Sequence, residues 1–507
     1  MARQRSTERR QFLLTALATT GAVAGAGLMR AANAATAPNG VEDMTATQAV
    51  TAMRSGDVSA EKYVEALLER ARRLSWMAAF ISLNRDGALE AARNADKKRA
   101  AGGKLPALHG LPVVLKDNID TAQLPTTGGT AALRNHRPKK DAPVAASLLN
   151  AGAVLLGKTN MHELAFGISN NNGAFGAVSN PYDGALIHGG SSGGTGAAVA
   201  ARIAPAGLGS DTGGSVRIPA ALCGIAGFRP SIGRYSGAGM IPISHTRDTA
   251  GPMCRTVADC ALLDAVITSA PTAKPLPPEG LRLGVPRGYF WENLDNALSS
   301  VAEESLRRLR AYGVELIEVD LPDLKKLNDA VSFPIALYEV GVDLPRYLEE
   351  SGSGVTFKKL ISEIKSPDVK GVFEAFVVGP QAVPKAAYDG AINAGRPALQ
   401  AAYADYFRRH NLAGMIYPTT PMPARPIGHD STVQLNGQAV PTFFTFIRNT
   451  DPSSNAGLPS VAIPVGMTVD NLPVGMELTG PTGTDRDLLA VGIAIEGIFG
   501  SLAAPVI

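Results

Sequence analysis

Cysteine is scarce in this chain: Cys223, Cys254 and Cys260 are the only three in 507 residues, and none forms a CxxC pair. A secreted disulfide framework needs more thiols in even number, so that class is excluded and the three read as buried free thiols. Histidine is also thinly spread. His109, His136, His162, His188, His245, His410 and His429 show no HExxH or other metal-ligand spacing, so no metal site is expected. His188, beside a serine-rich loop, reads as structural. A one-signed charge excess is missing too: the formal net charge is +3, with no basic stripe to meet phosphates, which argues against a nucleic-acid partner. Beyond the first 34 residues no window holds 18 apolar residues, so the mature protein is expected to be soluble, with no stable membrane association. At 45% hydrophobic and 18% charged residues, the composition is that of an ordinary globular chain without a long disordered tract.

Residues 1–34 read as a targeting segment rather than fold. Arg3, Arg5, Arg9 and Arg10 make a basic start, and Arg9-Arg10-Gln11-Phe12-Leu13 resembles the twin-arginine export motif. A mildly apolar stretch, Phe12 to Met29, follows, and Ala32-Asn33-Ala34 offers a small-x-small cleavage pattern. A twin-arginine-type signal peptide cut after Ala34 is expected, and with it a periplasmic or secreted location. An N-terminal anchor is the competing reading, disfavoured by weak hydropathy and by the cleavage pattern.

The mature chain alternates helical and strand patterns, which points to an α/β fold with a mixed central β-sheet flanked by helices in one large domain, residues 45–500. Asp57-Val58-Ser59 caps a helix with Val64, Leu67, Leu68, Ala71 and Leu74 on one face. Strands are predicted at 79–83, 111–115, 153–156 and 281–285, and strand-like runs at 414–424 and 460–466. Helices are predicted at 86–101, 142–151, 197–204 and 296–312, and 320–412 reads as mostly helical. The Pro-rich stretch 268–280 reads as a linker or the edge of an insertion.

Glycine is what the chain has in plenty, 54 residues, many of them between 128 and 240. The stretch 167–196 has little periodicity and is dominated by Asn, Gly, Ser and Pro, and 208–217 reads as a second polar Gly/Ser segment. A loop as long as the first, inside a compact domain, is usually functional. Each carries a serine among glycines: Gly190-Ser191-Ser192-Gly193, and Thr212-Gly213-Gly214-Ser215. A serine hydroxyl needs a base to attack a carbonyl, and glycine turns can aim backbone N–H groups at the resulting oxyanion. Lys116 ends the apolar run Leu111-Pro112-Val113-Val114-Leu115; burial would lower its pKa and fit it as that base. Taken alone, it reads more readily as a lysine reaching solvent past a strand end. Gly189-Gly190-Ser191-Ser192-Gly193 matches the G-x-S-x-G elbow in letters, but 181–188 does not read as the strand that elbow requires. A P-loop is excluded because the Gly-Lys-Ser/Thr ending is missing.

The run from Gly189 to Pro230 resembles the signature block of the amidase-signature family: Gly189 to Gly194, Asp211 to Pro219, and Cys223 to Pro230. Lys116-Asp117-Asn118, Asn160-Met161-His162-Glu163, Asn180-Pro181-Tyr182-Asp183 and Tyr417 to Pro421 match as well. The resemblance implies a Ser-cisSer-Lys triad. Ser215 is then the nucleophile, Ser191 the serine after a cis peptide bond, and Lys116 the base. Thr212, Gly213 and Gly214 match the backbone donors for the oxyanion, with Ser192 as a structural donor at the site. Asp211 and Arg217 brace the loops. The implied reaction is hydrolysis of a carboxylic amide through a serine acyl-enzyme, with no cofactor.

Within the family, Ile241 to Met253 and Ala165 to Ile168 resemble the indoleacetamide and mandelamide hydrolase branch, which implies aryl-alkyl primary amides as small-molecule substrates. Phe443, Phe444 and Phe446 fit an acyl pocket or the core equally. The branch that amidates charged transfer RNA is disfavoured by the export signal. The alternatives are an aryl acylamidase, carbamate or ester hydrolase of the same fold, or a non-catalytic periplasmic amide-binding protein. A homodimer stays open as an assembly.

Overall fold

β-Branched and apolar runs become strands where their pattern places them. The strands are Phe80–Leu83 (β1), Pro112–Lys116 (β2), Val154–Thr159 (β3), Ala206–Asp211 (β4), Ala226–Arg229 (β5), Thr249–Cys254 (β6), Arg282–Val285 (β7), Glu315–Glu318 (β8), Gly414–Pro418 (β9), Ser460–Met467 (β10) and Pro473–Thr479 (β11). This is a computed structural model, and it describes residues 40–507. The export segment read over residues 1–34 lies outside them.

The strands form one mixed sheet in the order β1-β3-β2-β4-β6-β5-β10-β11-β9-β7-β8, eleven in all. β2 runs parallel to β3 and to β4, and β7 parallel to β8 and β9; the pairs at the centre, from β4 through β6, β5, β10 and β11 to β9, are antiparallel. β2, β3, β4, β6 and β9 are buried at every residue, which is why β2 and β3 read as apolar runs rather than alternating ones. Helices cover both faces. Ser59 caps the helix Ala60–Arg73, accepting the Lys62 N–H at 3.2 Å, and that helix buries Tyr63, Val64, Leu67, Leu68 and Ala71, the face its spacing predicted.

Three expectations change. The helix leaving the first serine loop starts at Gly193, not Ala197, and runs to Ala200. Glycine is a weak helix former, but here tight packing decides: a Cβ on Gly194 would stand 2.4 Å from Ala79 O. The segment 208–217 is not one polar loop, because its first half belongs to β4, in the middle of the sheet. The Pro-rich stretch 268–280 is a surface connector within one compact unit, Gly40–Ile507, because the strands beyond it extend the same sheet.

Candidate active site

Parallel pairing brings the site together. Val113 lies opposite Ala206 and Leu115 opposite Leu208, so β2 and β4 end on the same edge of the sheet, where open α/β sheets hold their ligands. Lys116 closes β2 there, and Ser210 and Asp211 close β4.

Lys116 is fully buried. Its Nζ lies 2.7 Å from Ser191 Oγ and 2.8 Å from Ser210 Oγ, and Asn118 Nδ2 donates to the same Ser210 Oγ at 3.0 Å. Burial pulls the amine down to about 7, against the opposing pull of Asp211 and Asp248. A second buried lysine, Lys158 on β3, shows why Lys116 is the one suited to act as a base. Lys158 forms an ion pair with Asp117 at 3.1 Å, while Lys116 has no carboxylate at ion-pair distance among the described residues.

The Gly190–Ser191 peptide is cis, as the family resemblance implied. Ser192 ties the two serine loops together. Its N–H donates to Ser215 O at 3.1 Å, its Oγ donates to Ser210 O at 3.1 Å, and that Oγ accepts the Ser210 N–H at 3.2 Å. Ser215 is 7% exposed, the opening through which a substrate carbonyl would reach it. Among the described residues its Oγ makes no hydrogen bond to Ser191 Oγ; Ser215 itself is joined to the first loop through its carbonyl, by the Ser192 N–H.

The turn 212–215 is held from several sides. Gly214 has φ +135°, and a Cβ there would stand 2.0 Å from Thr450 Oγ1, so no side chain fits. Thr450 Oγ1 donates to Gly213 O at 2.6 Å, and Thr212 Oγ1 donates to Asp248 Oδ1 at 2.6 Å. The Gly214 N–H, one of the oxyanion donors the resemblance implied, donates here to Asp211 Oδ1 at 2.9 Å. The amides of Thr212, Gly213 and Ser215 keep no protein partner among the described residues.

Beneath the turn sits a fully buried charge network. Arg217 lies 3.0 Å from Asp211 Oδ1 and also reaches Glu477, Ser453 and Ser454; Arg229 lies 2.9 Å from the same Asp211 oxygen. Burial alone would raise the Asp211 carboxyl, but the two guanidinium groups outweigh it and hold it well below the usual range. Asp211 stays an anion that accepts the Gly214 and Val216 N–H groups, so the bracing role expected for Asp211 and Arg217 is what the contacts describe. Sequence reasoning did not single out Ser210, Asp248, Thr450 or Glu477; each is an ordinary polar residue whose partner is remote in the chain.

His188 is buried against the start of the helix Gly193–Ala200, and burial pushes its imidazole down to about 3, so it is a neutral packing element. The three cysteines are free and buried. His245, Glu339 and Asp343 lie close enough to share an ion, but their oxygens already accept from Ser244, Thr246, Tyr388, Arg346 and the His245 N–H. Of the three phenylalanines left open between pocket and core, Phe446 is fully buried and Phe444 is 58% exposed.

Comparison with known proteins agrees with this geometry. The family profile named Amidase matches residues 62–489. Indoleacetamide hydrolase of Agrobacterium vitis is 46% identical over 450 residues, covering 89% of this chain and 96% of that protein. Mandelamide hydrolase of Pseudomonas putida is 40% identical over 484 residues, covering 92% of this chain and 94% of the other. A solved amidase structure superposes with a TM-score of 0.80 at 31% identity, covering 90% of this chain and all of that one. The chain belongs to the amidase family and is an amide-hydrolysing enzyme.

Proposed function

We propose that this enzyme hydrolyses an aryl-alkyl primary amide to the acid and ammonia, with Ser215 as nucleophile, Ser191 as proton relay and Lys116 as base. The observation that carries the reading is the contact of 2.7 Å between Ser191 Oγ and a buried amine brought down to about 7. Neutral Lys116 takes the Ser191 proton as Ser191 takes that of Ser215, and Ser215 Oγ bonds to the amide carbon. The oxyanion is met by the free amides among Thr212, Gly213 and Ser215, aided by the turn that Gly214 closes; such a donor is worth about 3 kcal/mol. Ser191 then passes the proton to the leaving nitrogen, the C–N bond breaks and ammonia departs. Water repeats the relay to release the acid. The Ser191–Ser215 hydrogen bond is the contact this reading requires to close when substrate binds.

The acyl preference is supported by the named activities of the relatives and by aromatic side chains near the turn. Phe443 and Ile447 share one face of the helix Thr442–Ile447, and Ile447 lies against Gly213, where a Cβ would stand 2.8 Å from it. Phe333, Phe443 and Phe444 gather there with centroids 5.4–6.3 Å apart. The resemblance of Arg9-Arg10-Gln11-Phe12-Leu13 to the twin-arginine export motif supports a site of action outside the cytoplasm.

The test is a hydrolysis screen over indoleacetamide, mandelamide, phenylacetamide and anilides, with Ser215→Ala as control. Turnover of the aryl-alkyl primary amides and its loss in the variant are expected. Unchanged activity in S215A would sink the mechanism, and a preference for anilides or esters would sink the substrate class.

A further inference from the structure

The segment 162–170 wraps the relay serine and is itself tied to a distant helix. The His162 N–H donates to Ser191 O at 3.2 Å, and Asn170 Oδ1 accepts the Gly193 N–H at 3.2 Å. The stretch Ser191–Gly193 is therefore gripped at both ends by one loop. Its two grips are joined by the His162 imidazole. Nδ1 accepts the Asn170 N–H at 3.0 Å, and Nε2 lies 3.0 Å from Asp368 Oδ2. A backbone N–H can only donate, so Nδ1 is the acceptor and Nε2 carries the hydrogen toward the carboxylate. The ring fits only because residue 167 is glycine: a Cβ there would stand 2.1 Å from it. His162 is buried, with 1% of its side chain exposed, while Asp368 sits at the edge with 36% exposed, in the helix Pro367–Val372. Glu163 completes the attachment by accepting the Ser366 N–H at 2.7 Å and the Lys365 N–H at 3.0 Å.

We propose that His162, oriented by Asp368, is a positioning pair that holds Ser191 in register for proton transfer. This rests on the relay role given to Ser191 above. The pair touches neither Ser215 nor the oxyanion turn, so its loss strikes the step that depends most on Ser191, protonation of the leaving nitrogen. An amide cannot expel its amine without that proton, whereas a p-nitrophenyl ester expels a stable phenolate unaided. A merely structural role would lower both rates alike.

The experiment compares a primary amide with the p-nitrophenyl ester of the same acid in the full chain. His162→Leu is expected to lower kcat on the amide about tenfold or more and on the ester about threefold at most, with KM within about twofold. His162→Asn returns an acceptor at the Nδ1 position and should restore most of the amide rate. Asp368→Ala, at a site 36% exposed, should show the same bias at smaller size, so the test survives if H162L does not fold. Equal losses on amide and ester, or no loss, overturn the proposal. Ser191→Ala runs alongside: undiminished amide turnover in that variant overturns the relay itself, while a loss there with no amide bias in H162L or D368A overturns the positioning pair alone.

Discussion

In the proposed mechanism one side chain sets the working pH range. Lys116 is useful as a base only when neutral, and burial brings it down to about 7. Below that value Nζ is an ammonium with no lone pair for the Ser191 proton; above it the lone pair is free. The acid limb of kcat/KM should therefore have its midpoint near 7, measured over a pH series on a primary amide. The same depression has a cost in stability. Between the folded value of about 7 and the ordinary 10.5 the unfolded chain binds a proton that the folded one does not, so stability rises with pH through that window and is lowest below it. In Lys116→Met this dependence disappears. The unfolding free energy of the variant, relative to the parent, should shift in the variant's favour as pH falls through the window, while its activity is abolished. A constant difference between the two, measured by denaturant unfolding at several pH values, refutes a depressed lysine.

At the scale of elements, the turn 212–215 is made by what lies beneath it. Arg217, on the helix Arg217–Leu222, is the hub that joins Asp211 of β4 to Glu477 of β11 and to Ser453 and Ser454. Removing the hub leaves Glu477 without a counter-charge and Asp211 with Arg229 alone, which costs about 3–5 kcal/mol. Arg217→Met should lower the unfolding free energy by that amount, read as a lower urea midpoint, and cut amide turnover as well, because Asp211, with one of its two guanidinium partners gone, holds the Gly214 and Val216 amides less firmly. Arg217→Lys should rescue little, since a single ammonium cannot reach all of these partners at once. A near-parental midpoint in R217M would show the network to be idle. These elements were partly readable in the chain. Val113-Val114-Leu115 and Ser59 announced a strand and a cap because the causes of both are local. The beginning of the helix at Gly193 was hidden, since glycine propensity points the other way and only contact with Ala79 and Asn160 decides. The lysine and the two serines stood out by their surroundings. Thr450, Asp248 and Glu477 did not, because their roles come from partners that β-sheet pairing brings in from far along the chain.

At the scale of the whole molecule, two halves of the chain share one sheet. Strands from residues before 255 meet strands from residues after 281 at the β5–β10 pair, where Arg229 faces Ser460 and Phe228 faces Val461. Splitting the chain at the Pro-rich connector would expose that seam as two long unpaired edges. Residues 40–270 expressed alone are expected to aggregate rather than fold, as size-exclusion chromatography and near-ultraviolet circular dichroism would report. A monomeric fragment with a cooperative unfolding transition would contradict this. The seam also divides labour. Lys116, Ser191 and Ser215 all precede it, whereas Phe333, Phe443 and Phe444 follow it. In the proposed reading, changes among those phenylalanines can therefore revise which acyl group is welcomed while the lysine and both serines are inherited unchanged, so a lineage with this architecture can change diet without reinventing its chemistry.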